Sequence, residues 1–266
     1  MAATAFAPSA LADTTFSSNW GGYAAHGPGV NYRQVSGSWK QPGVSCVPGK
    51  QTYSAYWVGL GGYSPTSNAL EQIGTEADCT SQGNAIVSAW YELVPAAAVP
   101  IAMPVHMGDT ILATVVVSGH RVVLTLDDAT RGRVFTKTLN APAIDISSAE
   151  WIVEAPSNCL GGGGCNVLPL ANFGSAGFTG AVARQVSGHS GSISDSAWGA
   201  TRIALSPSGR RFVVLQNGSG GQAAAVPSAL RSGGTGFTVA YSRVQISSAL
   251  FASRRLLASV AVGRRH

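Results

Sequence analysis

Charge is scarce in this sequence of 266 residues: Asp, Glu, Lys and Arg together make up 11%, against roughly 25% in typical soluble chains. Only 12 residues are acidic, so few ion pairs can be lost when acid protonates carboxylates. A surface carried instead by Ser, Thr, Asn, Gln and Gly suits a secreted protein exposed to extremes of pH. No apolar run reaches the length of a transmembrane helix, and no membrane role is indicated. Basic residues number 17, giving a net charge of +5 and a pI near 9.2. There is no lysine-rich run and the arginines are scattered, so nucleic acid is not the expected partner.

The familiar catalytic signatures are missing as well. No GxSxG elbow occurs, and the five histidines form neither HExxH nor a His-rich tract. His120 falls in a hairpin turn and His266 ends the chain, whereas His189, Ser190 and Asp195 lie together in a polar loop or edge strand. Nothing implies a metal or a cofactor. The four cysteines lack a CxxC spacing and a nearby histidine, which argues for disulfides over zinc. Among three connectivities the sequential one, Cys46–Cys79 and Cys159–Cys165, is the expectation.

What the chain does contain is strands and turns. "DTILATVVVSGHRVVLTLDDATRGRVFTKTL" reads as three strands joined by tight turns at Gly119-His120 and Arg131-Gly132. "YSAYWVGL", "NAIVSAWYELV", "AEWIVEA", "RRFVVLQN" and "GFTVAYSRV" add more, rich in aromatic and β-branched residues. Many short strands without a helical period predict an all-β fold: one domain, a sandwich of two antiparallel sheets of the jelly-roll or concanavalin-like kind. The expected organisation is a leader or signal-peptide remnant over residues 1–16, the sandwich over 17–245, and a basic extension over 246–266 able to form a short amphipathic helix. "SALA" before Asp13 resembles the end of a signal peptide, so secretion is expected, with a mature start near Asp13. A monomer is the default.

Acids and amides set among aromatic residues are the conspicuous remainder. In "SSAEWIVEAP" alternation puts Glu150, Ile152 and Glu154 on one face of a strand and Trp151 and Val153 on the other. "LEQIGTEADC" carries Gln72, and "AWYELVP" places Glu92 on the same side as Trp90. Each alone reads equally well as a solvated strand face. Together, each beside a tryptophan or tyrosine, they suggest carboxyl groups whose pKa is raised by apolar walls into a range useful for proton transfer.

The ordered set "SSNWGGY", "YWVGLGG", "LEQIGT", "AWYELVP" and "AEWIVEAP" resembles the glutamic peptidases, or eqolisins, and is nearest to their bacterial branch, over roughly residues 17–242. The resemblance implies a two-sheet sandwich and an endopeptidase acting on polypeptides, insensitive to pepstatin. Carried over, Glu154 is the catalytic glutamate and Gln72 the catalytic glutamine. Trp57, Trp20, Glu92 and Trp90 line the substrate groove. Glu154 would act as base and then acid on an attacking water, and the Gln72 amide would stabilise the oxyanion. Glu150 is expected at the rim of the cleft. Two features depart from the fungal members, which are acidic proteins and carry an acid where this chain has Gly61. The competing reading is a glycoside hydrolase or lectin-like sandwich using Glu92 and Glu154 as a carboxylate pair.

Overall fold

The computed structural model describes residues 13–159, 165–215 and 220–246. Residues 1–12 of the expected leader, the glycine run between Cys159 and Cys165 and residues 247–266 of the C-terminal extension lie outside them. Eight strands form a front sheet in the order β1 (Asp13–Ser17), β16 (Gly199–Leu205), β2 (Trp20–His26), β11 (Ser148–Glu154), β4 (Ala55–Gly61), β5 (Leu70–Cys79), β6 (Ala85–Val94) and β7 (Val99–Ile101). Every pairing is antiparallel except β1 on β16. The expected boundary between leader and sandwich falls inside β1.

A back sheet runs β10 (Arg133–Asn140), β9 (Arg121–Asp128), β8 (Thr110–Ser118), β3 (Tyr32–Lys40), β14 (Ser175–Gln185), β19 (Phe237–Ile246) and β18 (Gln222–Pro227). β15 (Ser190–Ser192) adds to β14, and β17 (Phe212–Val214) adds to β19. The two sheets touch through one ladder pair, Leu205 with Ala225. A separate small hairpin joins β12 (Ser157–Cys159) and β13 (Cys165–Val167). Three-residue 3-10 turns at Pro207–Gly209 and Ser232–Gly234 are the helical content among the described residues.

Period-two alternation decides which side chains enter the core. Tyr56, Val58 and Leu60 of β4, Ile73 of β5, and Trp151 and Val153 of β11 face Val35, Trp39, Ile111, Val115, Leu124 and Phe178 of the back sheet. Trp151 is fully buried and donates its indole N–H to Ser36 O at 2.8 Å. Burying such a ring stabilises the fold by on the order of 4 kcal/mol. Gly37 makes room for it, since a Cβ there would stand 2.8 Å from Trp151 Cδ1. The other set of front-sheet residues makes a second apolar layer on the outer face: Ala24, Ala55, Trp57, Leu70, Trp90, Ile152 and Ile203.

The Cys46–Cys79 disulfide expected from the sequence is present and fastens the 41–54 loop to the end of β5. Cys165 is also disulfide-bonded and lies opposite Cys159 in the β12–β13 register.

Candidate active site

The outer face of the front sheet is organised in rows set by strand register. One row runs Trp20, Glu154, Ala55, Glu76 and Ser88. The next holds Ile152, Trp57, Gly74 and Trp90, and the third Ala24, Glu150, Gly59, Gln72 and Glu92. Trp20, Trp57, Gln72, Trp90, Glu92 and Glu154, six residues spread over 135 positions of sequence, therefore share one face. Gln72 and Glu154 stand two rows and two strands apart, with the Trp57 row between them. Glycines at 59 and 74 keep that middle ground low: a Cβ on Gly74 would meet Trp57 Cβ at 2.6 Å.

Glu154 is half-buried at the end of β11. Trp57 Nε1 donates to its Oε2 at 2.8 Å and Asn19 Nδ2 donates to its Oε1 at 3.0 Å. Trp20 packs edge-on against Trp57 with ring centroids 5.1 Å apart. Burial dominates the electrostatics and lifts the Glu154 pKa to about 7. The Trp57 and Asn19 donors pull against that rise and the Glu92 charge adds to it. A carboxyl poised there exchanges a proton readily near neutrality, where the pKa of an ordinary Glu lies near 4.3.

Gln72 is almost wholly buried and donates through Nε2 to Glu92 Oε2 at 2.5 Å. Its Oε1 has no protein partner. Burial raises the Glu92 pKa and the Gln72 bond lowers it. Trp90 closes this side of the face with its indole nitrogen buried and unpartnered. A recess of about 670 Å³ borders Asn19 and Trp20, the neighbours of Glu154, and is lined further by Phe16, Tyr63, Pro65 and Ile203 and by the hydroxyls of Thr15, Ser17, Ser18 and Ser208. Tyr63 leans over it from the β4–β5 loop, stacked on His26 at 4.5 Å.

Glu150 corrects an expectation. It shares the face of Glu154, as alternation requires, but it is completely buried and not at a rim. Both of its oxygens lack partners, as do both oxygens of buried Glu71. Burial pushes the Glu71 pKa to about 8 and that of Glu150 well above the carboxylate range. Asp145 lies close by, and its carboxylate accepts hydrogen bonds from Ser67 Oγ and from the N–H groups of Gly62 and Ser147.

Two residues of this face escaped the motif reading. Asn19 lies in "SSNWGGY", where nothing local marks it as a partner of a residue on a distant strand. Glu76 lies in the row of Glu154 and accepts from Ser88 Oγ, a placement that needs the register of three strands. His189 and Asp195 do pair, Nε2 to Oδ1 at 3.0 Å, on a polar edge where Trp198 covers the ring.

Residues 18–224 match the family model described as the Peptidase A4 family. Scytalido-glutamic peptidase, solved with a peptide-based transition-state analogue, is similar at 25% identity and a TM-score of 0.66, over 85% of this chain and 100% of that one. Aspergilloglutamic peptidase from Aspergillus niger is similar at 26% identity and a TM-score of 0.52, over 71% and 99%. SCP-B, an eqolisin solved with the tripeptide Ala-Ile-His, shares the fold at 24% identity and a TM-score of 0.63, over 85% and 100%. No curated protein sequence matches the chain.

Proposed function

The chain belongs to the peptidase A4 family, the glutamic peptidases, and from that premise we propose that it is a secreted endopeptidase in which Glu154 and Gln72 carry the chemistry. The observation behind this reading is the Glu154 carboxyl: half-buried, gripped by two donors that do not titrate, and raised to about 7 on the face that also holds Gln72. An extended polypeptide lies across the rows. Ionised Glu154 takes a proton from water, and the water oxygen bonds to the scissile carbonyl carbon. The carbonyl oxygen becomes an oxyanion, which Gln72 Nε2–H stabilises, a contribution of about 3 kcal/mol where a single donor has been removed. Protonated Glu154 then delivers its proton to the leaving nitrogen as the C–N bond breaks. The recess beside Trp20 and Tyr63, walled by aromatic rings and by hydroxyls alike, accepts a side chain of the substrate.

Two readings of the pair Glu92 and Glu154 compete, and one bond favours the peptidase. A carboxylate-pair glycosidase needs both acids directed at substrate, whereas Glu92 Oε2 is committed to Gln72. Glu92 then serves to hold the amide.

The test is cleavage of denatured casein between pH 3 and 8 with pepstatin present, repeated with Glu154→Gln and Gln72→Ala. Each variant should lose at least about a hundredfold in kcat/KM. Variants that cut as well as the parent would end the assignment.

A further inference from the structure

The hydrogen bonds around Asn19 can be counted to closure. Ser17 Oγ accepts from the backbone N–H of Asn19 at 3.3 Å and of Trp20 at 3.1 Å. Those bonds occupy both lone pairs of the hydroxyl, so its single hydrogen must donate. It goes to Asn19 Oδ1 at 3.0 Å. With Oδ1 engaged as an acceptor, the other end of the amide is fixed as the donor, and Nδ2 meets Glu154 Oε1 at 3.0 Å. The flipped amide would set its NH2 against a hydroxyl with no lone pair left and its carbonyl against a carboxylate. The main chain adds a second tie, since Ala155 N–H donates to Asn19 O at 2.9 Å.

We propose that Asn19, oriented by Ser17, is a positioning residue that keeps the Glu154 carboxyl in one orientation while it takes a proton from water and passes it to the leaving nitrogen. This role rests on the function proposed above. Asn19 occupies one acceptor position on Oε1 and Trp57 one on Oε2, and even with the Trp20 indole, which also only donates, counted against a third, one of the four lone pairs stays free. A proton accepted on the free position disturbs none of these bonds, because every partner only donates. The carboxyl therefore does not turn between the two transfers. Ser17 is the last residue of β1, held by its ladder to β16, so the grip on Glu154 is delivered by the first strand of the fold.

The test compares Asn19→Ala, Ser17→Ala and Ser17→Thr with the parent in three measurements: kcat and KM against pH, thermal midpoint, and the pKa of the Glu154 carboxyl by carbon NMR, with its resonance assigned by loss in Glu154→Gln. Asn19→Ala should lower kcat about tenfold with KM changed less than about twofold. Both the acid limb of the rate profile and the NMR pKa should rise, because a donor favouring the ionised form is gone. Ser17→Ala should move them the same way and Ser17→Thr, which keeps the hydroxyl, should restore the parent values. If both alanine variants merely melt earlier, with the acid limb and the NMR pKa unmoved, the positioning role is wrong. Should Asn19→Ala fail to fold, the two Ser17 variants decide. A parent that cleaves nothing would overturn the proposed function, and the NMR titration would still report whether Asn19 and Ser17 set Glu154.

Discussion

Trp57 Nε1 reaches Glu154 Oε2 diagonally, because strand register sets Trp57 opposite Ile152 and sets Glu154 opposite Ala55. The indole spans one row of the sheet, and the small side chain of Ala55 leaves it the space to do so. A tryptophan that is wholly buried is thus both a wall and a hydrogen-bond donor to the acid.

Trp57→Phe keeps most of the wall and removes the donor. The Glu154 pKa should climb above about 7, the acid limb of kcat/KM should follow it, and the rate at pH 5 should fall about tenfold. A rate–pH profile that superimposes on the parent's would show that the bond has no hold on ionisation.

Glu92→Gln should shift the same limb the opposite way. The amide still offers an oxygen to Gln72, but the negative charge that adds to the rise at Glu154 is gone. The limb should move to lower pH, and an upward move would contradict the electrostatics described here.

Stability should be greatest in mild acid. Glu71 is raised to about 8 and Asp78 to about 7, both by burial above all, and Glu150 is raised well above its ordinary value for the same reason. Each folded-state pKa lies above that of the unfolded chain, near 4. Below pH 4 both states hold these protons and the folded contribution is complete. As pH rises toward 7 or 8 the unfolded chain releases them first, and stability drains by about 1.4 kcal/mol per pH unit for each such group. The melting temperature should fall between pH 4 and pH 8, and Glu71→Gln should flatten that slope. A midpoint equal or higher at pH 8 would refute this.

Gly61→Asp should destabilise by roughly 1–3 kcal/mol. Gly61 sits at φ +85°, and a Cβ there would stand 2.6 Å from Asp145 Cβ. Asp145 has taken the space in which that acid would be built. Chemical denaturation of the variant would measure the cost, and an unchanged midpoint would mean that the loop yields freely.

Much of the site was legible because alternation along a strand is a local property. The assignment of Glu150 and Glu154 to one face and of Trp151 to the other follows from "AEWIVEA" alone. Whether a residue on that face meets solvent is not local. Glu150 and Glu154 are two repeats of the alternation apart, yet one is sealed and the other accessible. The row that brings Glu76 level with Glu154 depends on two strand pairings, β11 with β4 and β4 with β5. The signal-peptide-like "SALA" before Asp13 draws residues 13–16 into a leader, whereas their place in the sheet comes from pairing with β16, almost two hundred residues away.

β11 is flanked by β2 and β4, and β5 by β4 and β6, so the acid and the amide ride on main chain laced on both sides. Such a floor does not bend to its guest. On the function proposed, such a floor favours a polypeptide that readily gives up its own fold and offers a loose length of chain.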